Sequence, residues 1–143
     1  MIEKVYESTS EEMTAELGRV MAQQAAPGDV FTLIGDLGVG KTVFTSGFAA
    51  GLEIDEAICS PTFTIVNEYL GERELIHFDM YRLSSADELF DIGWEDYLAR
   101  GAVCAVEWSE NVQDAFFGDE ITVTIEKLGD NERKITIEGA EKC

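Results

Sequence analysis

The chain has 143 residues, of which 45% are hydrophobic. That is enough for one core and too little for two ordinary ones, so a single domain over residues 1–143 is expected. Ten basic residues against 29 acidic ones leave a formal charge of −19, which argues against a direct grip on DNA or on a tRNA backbone, because a polyphosphate would be repelled. The longest uncharged stretches, residues 42–52 and 57–67, are too short to span a bilayer, so no membrane partner is expected.

In chain order, residues 3–8 suit a short edge strand. Thr9-Ser-Glu-Glu12 has the form of a capping box, with Thr9 as N-cap and Glu12 at the third helical position. The helix behind it carries Met13, Leu17, Val20 and Met21 on one face. Pro27-Gly28 marks a turn into residues 29–34, a β-branched and apolar strand. That strand runs directly into Gly35-Asp-Leu-Gly-Val-Gly-Lys-Thr42. Val43, Phe44, Gly47, Phe48 and Leu52 then recur at helical spacing, with Gly51 as the expected stop and Leu52 in the last turn as the alternative.

The octapeptide is a complete G-x-x-x-x-G-K-[ST] loop, and its setting between strand and helix is the one the motif requires. Glycines let successive backbone N–H groups curl around an anion, and the helix N-terminus adds partial positive charge. Gly35, Asp36, Gly38, Val39, Gly40, Lys41, Thr42 and Val43 are therefore candidate nucleotide contacts. In this motif Lys41 reaches the β- and γ-phosphates and the Thr42 hydroxyl holds Mg2+. No N-K-x-D segment is present to favour guanine, so ATP is the default nucleotide.

Further along, residues 57–59 run into Ser60-Pro-Thr-Phe-Thr64, a candidate sensor loop in which Thr62 or Thr64 would place a hydroxyl near the γ-phosphate. A plain turn leading into a strand is the alternative for those residues. Residues 63–69 alternate as a strand, Gly71 turns, and residues 74–79 form another. Ser84-Ser-Ala-Asp87 is a second capping box opening a short helix that breaks near Gly93, and residues 94–99 form one more helical piece. Residues 102–107 are a continuous apolar run ending in acid, as in a strand covered on both faces. Residues 120–126 and 133–138 alternate with period two around Gly129-Asp-Asn131, a late hairpin. Such a mixture around a phosphate loop implies an α/β fold: a P-loop three-layer α/β/α domain, its sheet mostly parallel with additional antiparallel strands.

Two strands end in acid, at Asp79 and at Glu107. Ligands of open α/β sheets lie beyond the carboxyl ends of strands. One acid can hold Mg2+ while the other orients or deprotonates the attacking water. His77 reads as a packed, hydrogen-bonded histidine, with a catalytic one as the alternative, and Arg82 as a partner for a nearby carboxylate, with a guanidinium presented to the transferring phosphate as the alternative. Trp108 at the rim can stack or simply pack. Cys59, Cys104 and Cys143 show no C-x-x-C spacing, and residues 1–4 carry no secretory pattern, so reduced thiols in a cytoplasmic protein are expected.

The ordered set of the phosphate loop, Ser60-Pro-Thr-Phe-Thr-Ile-Val-Asn-Glu-Tyr69, His77-Phe-Asp-Met-Tyr-Arg-Leu83 and Val106-Glu-Trp108 closely resembles the TsaE (YjeE) family, bacterial ATPases of tRNA threonylcarbamoyladenosine synthesis. The resemblance covers nearly the whole chain. It implies a weak Mg-dependent ATPase that works with TsaB and TsaD, which attach the threonylcarbamoyl group to adenosine 37 of ANN-decoding tRNAs, so that tRNA is met only through those partners. It further implies that Thr42 and Glu107 are the Mg2+ ligands, Asp79 the hydrolytic acid and Ser60, Thr62 and Thr64 the switch. Tyr81, Arg82 and Trp108 become candidates for coupling to nucleotide or partner, and Glu11 and Arg133 lie in regions that approach the adenosine. Val43 departs from the family's usual second threonine, a change that nucleotide binding is expected to survive. A small-molecule kinase and a nucleotide-responsive scaffold with negligible turnover are the alternatives, and arginines scattered at positions 19, 73, 82, 100 and 133 do not suggest the lid a kinase needs. Lys41→Ala is expected to abolish ATP binding or hydrolysis, and unchanged affinity and turnover in that variant would overturn the loop assignment.

Overall fold

The computed structural model describes residues 2–35, 40–54, 66–70, 74–79, 86–91, 93–107 and 120–139. The described elements run β1 (Ile2–Ser8), α1 (Glu11–Gln24), β2 (Val30–Ile34), α2 (Lys41–Gly51), β3 (Val66–Tyr69), β4 (Leu75–Asp79), α3 (Ala86–Asp91), α4 (Trp94–Ala99), β5 (Val103–Glu107), β6 (Ile121–Lys127) and β7 (Arg133–Gly139). All seven strands join one sheet in the order β1-β7-β6-β2-β5-β4-β3. The core pairs β6–β2, β2–β5 and β5–β4 are parallel, and antiparallel β7, β1 and β3 are added at the two sides. The mixed α/β architecture read from the sequence is the one observed.

Strand alternation sorts the sheet residues into two layers. Phe31, Leu33, Leu75, Val103 and Ala105 pack in one cluster with Phe44 and Phe48 of α2, Leu52 just after it, and Met21 and Ala22 of α1. Within it the Phe31 and Phe48 rings meet edge-on with centroids 4.8 Å apart. On the other face Phe78 lies edge-on to Trp94 and Tyr97 of α4, at 5.1 and 5.4 Å. Both strands that end in acid are buried along their whole length, because β5 is flanked by β2 and β4 and covered above and below. Cys104 is buried within β5, and desolvation pushes its thiol up to about 12, which leaves it an inert core group.

One helix end departs from the sequence expectation. Ser10, not Thr9, caps α1: its Oγ accepts from the Met13 backbone N–H at 3.1 Å. The shift follows from β1 continuing through Ser8, whose Oγ donates to the Ser10 carbonyl at 2.8 Å and pairs with Thr14 Oγ1 at 2.7 Å. The helix α2 ends at Gly51, the expected stop, with Leu52 as the C-cap. The positive φ of the helix exit falls on Glu53, at 59°.

Glycine serves a different purpose along α2. A Cβ added at Gly47 would stand 1.9 Å from the Ala15 carbonyl oxygen, and one at Gly18 would stand 2.3 Å from that of Phe44. The two helices touch backbone to backbone, and this close crossing seats α2, and with it Lys41, on the sheet. Gly47→Ala is expected to destabilise the protein by about 1–3 kcal/mol, the usual cost of overpacking. Urea denaturation checks it, and a wild-type midpoint would show that the crossing tolerates separation.

Candidate functional site

The first half of the site is the start of α2. Gly40 takes φ +117°, a backbone state that favours glycine, and hands the chain into the helix at Lys41. Among the described residues no side chain caps this end, whereas α1 has Ser10. The helix dipole at this start favours an anion. Thr42, one residue inside the helix, is exposed.

The second half comes from the sheet. Asp79 and Glu107 are register partners at the carboxyl ends of the adjacent parallel strands β4 and β5, and Leu33 of β2 flanks Glu107 on the other side. Lys41, Asp79 and Glu107 are only 6, 4 and 5% exposed, so these three ionisable groups act on one another with little water between them. Lys41 Nζ lies 3.7 Å from Glu107 Oε1, an ion pair longer than a hydrogen bond. His77, buried two residues before Asp79 on the same face of β4, places Nε2 2.7 Å from Glu107 Oε2. A cation, two carboxylates and a helix start thus come together at the carboxyl ends of β4 and β5. That is an arrangement able to hold a phosphate chain and a hard divalent cation, since carboxylate and hydroxyl oxygens suit Mg2+.

A cavity of about 110 Å³ adjoins the α2 start, lined by Ser10, Glu11, Thr14, Gly40, Val43, Asp130, Asn131 and Arg133. It brings Glu11 and Arg133, 122 positions apart in the chain, onto the same space as Gly40 and Val43. Arg133 Nη1 donates to the carbonyls of Gly129 and Glu132, at 2.9 and 3.0 Å, and so stiffens the hairpin wall. Sequence reading had not singled out Ser10, Thr14, Asp130 or Asn131 for this role. Thr14 is a polar residue on the inward face of α1, which was the available signal; Asp130 and Asn131 looked like turn residues only. Gly35 closes β2 beside the site, whereas Asp36, Gly38, Val39, Ser60, Thr62, Thr64, Tyr81, Arg82 and Trp108 lie outside the described residues.

A strand, an uncapped helix start bearing a buried lysine, and acids at two neighbouring parallel strand ends define a P-loop protein. The family described as "Threonylcarbamoyl adenosine biosynthesis protein TsaE" matches residues 8–135. The chain is 42% identical over 132 residues to the tRNA threonylcarbamoyladenosine biosynthesis protein TsaE of Bacillus subtilis, covering 92% of this chain and 82% of that one. It is 40% identical over 130 residues to the protein of the same name from Treponema pallidum, covering 91% and 96% respectively. A crystal structure of Bacillus subtilis YdiB superposes with a TM-score of 0.84 at 35% identity, covering 98% of this chain and 87% of that one. The chain belongs to the TsaE family, a family of tRNA threonylcarbamoyladenosine biosynthesis.

The side-by-side acids make a separable prediction. Asp79→Ala is expected to keep nucleotide binding while hydrolysis falls by about 10²-fold or more, the scale of a lost general base. Wild-type turnover in a phosphate-release assay would assign the water-activating role to Glu107 instead.

Proposed function

We propose that this chain is the Mg-dependent ATP-binding and ATP-hydrolysing subunit that serves threonylcarbamoylation of adenosine 37 in ANN-decoding tRNAs, acting on TsaB and TsaD in the cytoplasm. The observation that carries the reading is Lys41, buried at the uncapped start of α2 and 3.7 Å from the strand-end carboxylate Glu107. In this reading Lys41 and the first-turn amides of α2 hold the β- and γ-phosphates, and Thr42 and Glu107 are the metal's protein ligands. Mg2+, when bound, supplies positive charge to the phosphate oxygens. Asp79 orients the attacking water and accepts its proton. The adenosine enters the cavity between α1 and the β6–β7 hairpin, with Glu11 and Arg133 at its polar edges and Val43 as an apolar wall; a valine there costs no phosphate contact. Among the described residues no helix is long and apolar enough to cross a membrane, and the formal charge of −19 favours leaving the tRNA to the partner proteins.

The test is incubation with ATP and Mg2+, alone and with TsaB and TsaD. Phosphate release that rises when the partners are added is the expected result. Phosphate transferred to a small acceptor would make the protein a kinase, and nucleotide binding without turnover in either condition would make it a scaffold.

A further inference from the structure

Glu107 can serve a cation only if its carboxylate is aimed. His77 is the only histidine of the chain, and it is fully buried in the middle of β4. Its register partner on β5 is Ala105, and two residues onward in both strands Asp79 faces Glu107. The imidazole therefore lies diagonally behind the Glu107 carboxylate on the same face of the sheet. The two oxygens of that carboxylate are divided: Oε2 meets His77 Nε2 at 2.7 Å, and Oε1 faces Lys41 Nζ at 3.7 Å. The other ring nitrogen, Nδ1, is buried with no hydrogen-bond partner among the described residues.

These contacts favour one tautomer. A carboxylate oxygen at 2.7 Å requires a proton on the facing nitrogen, because two lone pairs at that distance would repel. Nδ1 has no acceptor, and a buried N–H without one would carry the full desolvation cost, so the bare nitrogen belongs there. Resting on the function proposed above, we infer that His77 is a positioning residue: its Nε2–H holds Glu107 Oε2 so that Oε1 remains turned toward Lys41 and the phosphate site. Asp79 is then not the only reason for the polar pattern of β4. His77 acts through Glu107 and touches neither nucleotide nor water in this role.

Two experiments test it. The first needs no variant: the single histidine gives one imidazole in a long-range 1H–15N correlation spectrum, expected to show Nε2 protonated and Nδ1 bare. A spectrum with the proton on Nδ1 would overturn the inference. The second compares His77→Gln with His77→Asn, because the glutamine amide nitrogen reaches the place of Nε2 whereas that of asparagine reaches only the place of Nδ1. The readout is the Mg2+ concentration for half-maximal ATP binding, measured by calorimetry beside ATP binding in EDTA. His77→Asn is expected to raise the Mg2+ requirement by about 10–100-fold, the usual cost of losing a group that orients a metal ligand, with affinity in EDTA unchanged and with His77→Gln restoring most of the loss. A wild-type Mg2+ requirement in His77→Asn would overturn the role, as would equal losses in both variants or a parallel loss in EDTA. Absence of ATP binding by the wild-type protein would instead sink the parent reading, and the tautomer spectrum would still decide the hydrogen bond.

Discussion

A buried ammonium held near a buried carboxylate is the constraint around which the site is organised. Removing one member of such a pair leaves a charge stranded in low dielectric and costs about 3–5 kcal/mol. Lys41 and Glu107 come from different layers, one from the start of α2 and the other from the end of β5, so their charges couple helix to sheet. The glycine-lined crossing of α1 and α2 settles where α2 sits, and the register of β4 against β5 settles where Glu107 and Asp79 end. At 3.7 Å the ammonium is close enough to be neutralised by Glu107 and too far for a good hydrogen bond. In the function proposed above, an incoming phosphate, with more charge and more oxygens, would take Lys41 over without leaving it unpaired, and Glu107 would pass from balancing the lysine to holding the metal.

The overall acidity of the chain gives this arrangement its selectivity. A formal charge of −19 repels polyanions in general, and among the described residues Lys41, the start of α2 and Arg133 across the neighbouring cavity offer local positive charge. A nucleotide accompanied by its cation meets a small positive nest, whereas an extended nucleic acid backbone would meet a surface of its own sign. In the function proposed above, phosphate recognition is thus local and the tRNA is left to other proteins.

Much of this was legible in the residues. The loop motif, the strand before it and the helix after it located Lys41, and the apolar runs ending at Asp79 and Glu107 marked the two strand ends, because a sheet covered on both faces is written as unbroken hydrophobic sequence. What pairwise register contributes was not legible: nothing in the spacing of 79 and 107 says that they are neighbours, nor that His77 lies behind Glu107. The cavity joining Glu11 to Arg133 depends on the final hairpin folding back beside β1 and α1, a long-range event that local pattern does not encode. The start of α1 was misjudged for a local reason. Thr9 and Ser10 are both able caps, and the hydrogen bonds of Ser8 to the Ser10 carbonyl and to Thr14 go with the choice of Ser10. Gly51 ends α2 as expected, and its smallness also lets the Arg19 carbonyl lie against it, a Cβ there standing 2.4 Å away.

The central claim is that an ammonium and an uncapped helix end form a socket for a triphosphate carrying a divalent ion. Isothermal titration of the intact protein with ATP, in Mg2+ and in EDTA, addresses it directly. The account predicts one nucleotide bound per chain, more tightly in Mg2+ than in EDTA. Absence of heat at millimolar ATP in both buffers would contradict it.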